Sequence, residues 1–251
     1  MKTLRTYNNQ TLSYKQQYFN KDSTTILYVH GLMSDMHGFK SSALMEYCTK
    51  KQINFIAFDN LGHGQSSGNY LECNITTWRD GLIAIIKELN LKKCILVGSS
   101  MGGWISLLVA QMNMPEIEGL LLIAPGPDFT EKILDSLSPE IKFAMIEQSF
   151  VLNINNRYQI NYQLLADGKH HLLLNQDSIK INVPVILMHG MEDTQIDYMV
   201  SYKLSQIIES PYLCAKISKY STHRMGKIED VALMLNSIDE IMSFNQQNSL
   251  D

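Results

Sequence analysis

The stretch Gly98-Ser99-Ser100-Met101-Gly102 joins two strongly apolar segments of this 251-residue chain. The apolar run at residues 94–97 predicts a buried strand, and the run at residues 104–110 predicts a helix. A strand, a tight turn with glycines on both sides of a serine, and a helix form the layout of a nucleophile elbow. The glycines let strand and helix approach closely, and the helix N-terminus contributes positive partial charge beneath the serine. We therefore predict that Ser100 is a nucleophile.

Strand-like apolar runs alternate with helical periodicity along most of the chain. Such alternation is typical of βαβ units and predicts an α/β fold with a mostly parallel sheet flanked by helices. A loosely alternating segment at residues 4–19, broken at Asn8-Asn9, predicts an antiparallel hairpin and brings the expected sheet to eight strands. The other predicted strands cover residues 25–29, 54–58, 94–97, 119–125, 183–188 and 213–218, and the predicted helices cover 39–51, 76–90, 104–110 and 227–244.

The composition argues against several classes of function. The net charge is −4, whereas a nucleic-acid partner would favour a basic stripe. Apolar stretches are about strand length, so we predict no membrane span. The N-terminus lacks an apolar secretory core and the four cysteines are scattered, so we expect reduced thiols and a cytoplasmic protein. No His, Cys and acid set has metal-ligand spacing, so we expect no metal and no other cofactor. No pattern indicates an oligomeric state.

Residues 126–181 interrupt the alternation, because this segment is too long for a simple connection between core strands. Asp128 followed by Glu131 has the spacing of a capping box, and Ser138-Pro139 is a typical helix start. We predict a cap insertion here, over the mouth of the sheet, within a single domain spanning residues 1–251.

A serine nucleophile needs a base, and the base needs an orienting carboxylate. His223 lies between the last predicted strand and the last helix, where the base is expected, whereas His189 ends a strand and is interpreted as a buried hydrogen-bonding residue. Asp193, just past that strand, is the leading candidate for the acid. The alternatives for the acid are Asp197 and Glu192.

Negative charge that develops on a substrate oxygen needs backbone donors. We predict the amide of Met101, directly after the nucleophile, and that of Leu32, in the loop after His30-Gly31. His30 itself is interpreted as a structural residue. The glycine-rich loop at residues 62–66 lacks the spacing of a phosphate-binding loop, and we interpret it as structural too.

Together these motifs resemble the α/β-hydrolase superfamily across nearly the whole chain. A narrower resemblance is to its mitochondrial acyl-protein thioesterases, also described as palmitoyl-protein thioesterases and acyl-glucuronide esterases. The superfamily motifs are Val29-His30-Gly31, Asp59 through Gly64, Gly98 through Gly102, His189-Gly190 with Asp193, and His223; the narrower ones are residues 31–36, 95–104, 170–174, 189–193 and 223–225.

The resemblance implies hydrolysis of acyl esters or thioesters, including S-palmitoyl-cysteine and acyl glucuronides, by Ser100, Asp193 and His223. The substrate would be a small molecule or an acylated protein. No Arg- and Ser-rich transit segment precedes the first predicted strand, so a cytoplasmic rather than a mitochondrial location is expected. Another activity of the fold, such as a peptidase or carbon–carbon bond hydrolase, and a silent binding module are the alternatives.

The predicted cap carries two sets of candidate substrate contacts. The apolar set either lines an acyl groove or packs the cap helices onto the sheet, and the histidine pair either contacts a polar substrate group or lies on the surface. The two sets are Phe143, Met145, Ile146 and Phe150, and His170 with His171.

Overall fold

A mixed sheet flanked by helices forms the centre of the computed structural model, which describes residues 2–5 and 9–248. The strands are β1 (Lys2–Arg5), β2 (Thr11–Gln17), β3 (Thr25–Val29), β4 (Asn54–Phe58), β5 (Cys94–Ser99), β6 (Ile117–Ile123), β7 (Leu152–Ile154), β8 (Tyr158–Ile160), β9 (Ile179–Lys180), β10 (Val185–Gly190), β11 (Ile208–Glu209) and β12 (Leu213–Ser218). The helices are α1 (Phe39–Lys51), α2 (Ile75–Glu88), α3 (Met101–Ala110), α4 (Phe129–Ser136), α5 (Pro139–Glu147), α6 (Tyr162–Gly168), α7 (Met199–Ile207) and α8 (Ile228–Gln247).

The large sheet has eight strands in the order β1-β2-β4-β3-β5-β6-β10-β12. The six strands from β4 to β12 are mutually parallel, and β1 and β2 form an antiparallel hairpin against β4. The predicted fold, a mostly parallel eight-stranded sheet flanked by helices, is confirmed. Asn8 of the predicted hairpin turn lies outside the described residues.

The apolar core lies on both faces of this sheet. In β3, Leu27 and Val29 pack in the cluster that contains α2 and α3, whereas Ile26 and Tyr28 pack in the cluster that contains α1 and α8. Because both faces are covered by helices, the parallel strands read as uninterrupted apolar runs. Among the described helices, none is long and apolar enough to cross a membrane.

The segment between β6 and β10 holds α4, α5, the β7–β8 hairpin and α6, where the cap was predicted. Ser138 caps α5, and Pro139 is in its first turn, as predicted. The capping box of Asp128 is wrong. Asp128 has a left-handed backbone (φ 60°), and its carboxylate instead accepts the amides of Leu173 (2.9 Å) and Leu174 (2.8 Å). It therefore ties the start of α4 to the far end of the cap.

Candidate active site

Ser100 lies in the tight turn between β5 and α3, with φ 56° and ψ −120°. A serine with positive φ is strained, and surrounding structure must hold it there. The turn is crowded: a Cβ added at Gly102 would lie 2.1 Å from the Val29 carbonyl oxygen, and one at Gly98 would lie 2.5 Å from that of Gly102. Side chains at either glycine would push strand and helix apart, so the glycines make the turn possible.

The structure brings Ser100, His223 and Asp193 into one hydrogen-bonded series. His223 Nε2 lies 3.0 Å from Ser100 Oγ, and His223 Nδ1 lies 2.7 Å from Asp193 Oδ2. The Asp193 side chain is fully buried, whereas that of His223 is 14% exposed. With Nδ1–H donating to the carboxylate, Nε2 is left to accept the proton of the serine hydroxyl. This is the arrangement that general-base activation of a serine requires.

The two alternative acids lie elsewhere. The Asp197 carboxylate accepts the Met199 amide at 2.9 Å, at the start of α7. Glu192 is exposed, and its backbone amide donates to the Ser221 carbonyl. Neither carboxylate has a hydrogen bond to His223 within the described part of the chain.

Asp193 is surrounded by hydrogen-bond donors. Oδ1 accepts the backbone amides of Gln195 (2.8 Å) and Ile196 (2.9 Å), and Oδ2 accepts His223 together with His189 Nε2 (2.9 Å). Burial alone would raise the pKa of Asp193, but the bonds from His189, His223 and Ile196 outweigh burial and hold that pKa well below its ordinary value. The carboxylate is therefore ionised and fixed in orientation.

The predicted oxyanion donors lie beside the nucleophile. A Cβ added at Gly31 would be 3.6 Å from Ser100 Oγ, so the following residue, Leu32, begins next to the hydroxyl. Leu32 and Met101 both line the cavity above Ser100. Met101 is the first residue of α3, where a backbone amide has no partner within the helix. Both amides are thus placed near a substrate oxygen.

The loop after β3 is anchored by the glycine-rich loop after β4. His63 Nε2 accepts the Met33 amide at 3.1 Å, and Asp59 Oδ1 accepts the Met36 amide at 2.7 Å. His30 Nε2 accepts the Asn60 amide at 3.0 Å, so the two loops are bonded in both directions. The structural interpretation of both loops is confirmed, but their joint effect on the oxyanion loop was not predicted.

His30 and His63 are buried and act as hydrogen-bond acceptors. Burial lowers the pKa of His30 to about 4, although its bond to the Gly31 carbonyl opposes the shift. Burial, and secondly the nearby His30, lower the pKa of His63 to about 4. Their ring centroids are 5.1 Å apart. Both rings are therefore neutral near pH 7, which leaves one nitrogen of each free to accept.

A cavity of about 330 Å³ opens above Ser100, at the small end of the roughly 300–1,000 Å³ typical of ligand sites. Its lining mixes an apolar wall with a polar rim. Beside Leu32, Ser100, Met101 and His223, the wall consists of Phe129, Ile133, Ile154, Ile160 and Ile196, and the rim consists of Lys132, Ser136, Asn155, Tyr158, Thr194 and Gln195.

The sequence assigned other cap residues to substrate contact, and none of the six lines this cavity. Met145 is buried in the core, whereas Phe143, Ile146 and Phe150 are 47–59% exposed on or just after α5. His170 is exposed, and His171 bonds to Thr76 Oγ1 at 2.7 Å. The α5 helix therefore lies beside the cavity wall rather than in it.

The wall comes from α4 and the β7–β8 hairpin instead. Phe129 and Ile133 are four residues apart and share one face of α4. Ile154 and Ile160 belong to the two strands of the hairpin. The helical spacing in residues 129–133 was a readable signal, but sequence periodicity does not show which helix faces the nucleophile.

Comparison with known proteins places the chain in a family. Residues 20–171 match the profile of a family described as "Serine aminopeptidase, S33". The rat palmitoyl-protein thioesterase ABHD10, a mitochondrial protein, is 32% identical over 222 residues, which cover 86% of this chain and 74% of that protein. The structure of mouse alpha/beta hydrolase domain-containing protein 10 has a TM-score of 0.88 and 29% identity, covering 96% of this chain and 98% of that one.

A more distant match shows the fold alone. The monoacylglycerol lipase of Paleococcus ferrophilus has a TM-score of 0.74 at 19% identity, and the match covers 93% of this chain and 99% of the lipase. The chain therefore belongs to the α/β-hydrolase family and is a hydrolase of that class. Among known proteins it resembles ABHD10, which agrees with the resemblance read from the sequence.

Proposed function

We propose that this protein cleaves acyl esters or thioesters through an acyl-enzyme on Ser100. The observation that carries the proposal is the 3.0 Å contact between Ser100 Oγ and His223 Nε2 at the floor of a largely apolar cavity. A hydroxyl with an adjacent base is activated for attack on a carbonyl, and an apolar wall accommodates the acyl chain.

The reaction has two steps. His223 takes the Ser100 proton as the oxygen attacks the substrate carbonyl, and it then gives that proton to the leaving thiol or alcohol as the carbon–sulfur or carbon–oxygen bond breaks. His223 next takes a proton from water, which attacks the acyl-enzyme and releases the carboxylic acid and the Ser100 hydroxyl. Asp193 holds the imidazole tautomer and stabilises the imidazolium in both steps.

The amides of Leu32 and Met101 would stabilise the oxyanion of each tetrahedral intermediate. In serine hydrolases, one such donor lowers the barrier by roughly 3 kcal/mol. The anchoring of the Met33 amide by His63 supports this role, because an amide contributes only if it is oriented before the charge develops. Oxyanion stabilisation therefore depends on a loop that is already fixed in the free protein.

The substrate is proposed to be an acyl thioester or ester of a small molecule or an acylated protein. The relatives named as palmitoyl-protein thioesterases support a thioester. The apolar wall supports an acyl chain, whereas the rim, with Lys132, Asn155 and Gln195, offers polar contacts to the leaving group. A cytoplasmic location and the lack of a nucleic-acid partner stay predictions from the sequence.

Labelling with a fluorophosphonate, followed by intact mass and peptide mapping, tests the nucleophile. One adduct on Ser100, absent from Ser100→Ala, is the expected result. Hydrolysis rates for matched acyl thioesters and oxyesters of two to sixteen carbons, and for aminoacyl p-nitroanilides, then define the reaction. Faster turnover of the thioesters or oxyesters supports the proposal. Turnover of the anilides alone would instead favour a peptidase, the activity named in the family description.

A further inference from the structure

Asp193 Oδ2 faces two imidazoles, and only one of them contacts the nucleophile. His223 Nδ1 lies 2.7 Å from this oxygen and His189 Nε2 lies 2.9 Å from it. His189 is fully buried at the end of β10, and it has no contact with the cavity above Ser100. A buried imidazole bonded to the acid, yet remote from the substrate, calls for a physical explanation.

The partners of His189 define its protonation. Nε2 faces two acceptors, Asp193 Oδ2 and the Ile196 carbonyl at 3.1 Å, so this nitrogen carries a proton and donates. Nδ1 lies 2.7 Å from the hydroxyl of Ser201, which is fully buried on α7. A neutral imidazole satisfies all these contacts when the Ser201 hydroxyl donates to Nδ1. The series therefore runs from Ser201 through His189, Asp193 and His223 to Ser100.

We propose that His189 is a positioning residue that acts on the reaction through Asp193, a role that rests on the hydrolase function proposed above. Its bond holds the carboxylate in the rotation in which Oδ2 meets His223. It also divides the negative charge of Oδ2 between two donors, so the imidazolium of His223 receives only part of that charge. His189 would thereby set both the alignment of the base and the pH at which the base becomes protonated.

The other charged groups nearby are bonded elsewhere. On the acid loop, Glu192 is exposed and Asp197 holds the Met199 amide. Beside His223, Asp230 accepts the Ser221 hydroxyl, and the cations of Lys40 and Arg224 lie over the Phe39 ring. These groups remain in place when His189 is replaced, so a change in the pH profile reports on His189.

The test compares His189→Phe, which removes the donor, with His189→Gln, which can restore an N–H near the position of Nε2. kcat and KM for an activated ester are measured from pH 5 to 9, with Tm and fluorophosphonate labelling as controls. For His189→Phe we expect kcat to fall by roughly 10- to 100-fold with KM nearly unchanged, as for a misaligned catalytic group. We also expect the acid midpoint of the kcat/KM profile to rise by about half a pH unit.

His189→Gln should restore most of the lost kcat and the wild-type midpoint. A folded His189→Phe enzyme with wild-type kcat and midpoint would overturn the proposal. So would a loss of kcat with an unchanged midpoint that His189→Gln does not restore, because that result indicates a packing role only.

If His189→Phe does not fold, Ser201→Ala provides the second variant, since it frees the imidazole without removing it. It should lower kcat several-fold and shift the midpoint in the same direction, and an unchanged profile would contradict the proposal. Failure of the hydrolase function itself is seen separately, as the absence of a Ser100 adduct and of ester turnover in the wild-type protein.

Discussion

The hydroxyl of Tyr158, on strand β8 of the cap, donates to Gln195 Oε1 at 2.8 Å, two residues beyond Asp193. Both residues line the cavity, so this bond joins the cap to the acid loop across the mouth of the site. The backbone amide of Gln195, and not its side chain, holds Asp193. The cap can therefore be released without disturbing the acid.

Tyr158→Phe removes this bond and keeps the ring. A hydrogen bond of this kind contributes about 1 kcal/mol, so we expect KM to rise about 5-fold while kcat changes little. Steady-state kinetics on a medium-chain ester measure both values. Tyr18→Phe, at an exposed position outside the cavity lining, is the matched control and should leave both unchanged. A fall in kcat for Tyr158→Phe with KM constant would show that the bond acts on the acid instead.

Asp193→Asn should abolish most activity, because an amide cannot hold the required tautomer of His223 or stabilise its charge. We expect kcat/KM to fall by about 10³- to 10⁴-fold, the effect of this change in other serine hydrolases. Asp197→Asn is the matched control, since that carboxylate only accepts the Met199 amide. Thermal unfolding checks that both variants are folded. If Asp197→Asn caused the larger loss, the acid would be misassigned.

The free energy of unfolding should fall as the pH is lowered from about 6.5 to about 4. The pKa of His30 and that of His63 are lowered from 6.5 to about 4 by burial, so in this window the unfolded chain binds protons that the native state does not. At pH 5 each histidine would cost on the order of 2 kcal/mol of stability relative to pH 7.5. Urea unfolding at both pH values measures the difference.

His63→Gln should reduce this pH dependence, because glutamine can still accept the Met33 amide but does not titrate. His37→Gln, at an exposed position, serves as the control. An equal pH dependence in wild type and His63→Gln would contradict the assignment of the effect to this buried pair.

Ile133→Trp should shorten the acyl chains that the enzyme accepts. The added ring would occupy part of the apolar wall, so we expect turnover of eight- to sixteen-carbon substrates to fall at least about 10-fold, with acetyl substrates little affected. Phe143→Trp, at an exposed position outside the wall, is the control. A shift in chain-length preference for Phe143→Trp, and none for Ile133→Trp, would return the acyl site to α5.

The reacting groups could be located from the sequence because each follows a strand of predictable character. Ser100, Asp193 and His223 follow β5, β10 and β12, and parallel strands bring their carboxyl ends to one edge of the sheet. Apolar runs, glycine spacing and chain order therefore constrain the position of all three, although the choice between Asp193 and Asp197 required the hydrogen bonds.

The cap could not be predicted to the same depth, because hydrophobicity does not distinguish a wall from a surface. Phe143 and Ile133 are both apolar residues on short helices, yet one is exposed and the other lines the cavity. Asp128 failed for a related reason. Its carboxylate serves residues 45 and 46 positions away, a long-range contact that local spacing does not reveal.

The separation of the three reacting groups along the sheet makes enzymatic activity a late event in folding. Ser100 follows the central strand β5, whereas His223 follows β12, which is at the edge of the sheet and pairs only with β10. A partly folded chain in which β12 has not yet docked would have a strained serine but no base beside it. Recovery of esterase activity during refolding should therefore lag behind the recovery of secondary structure and report the docking of the last strand.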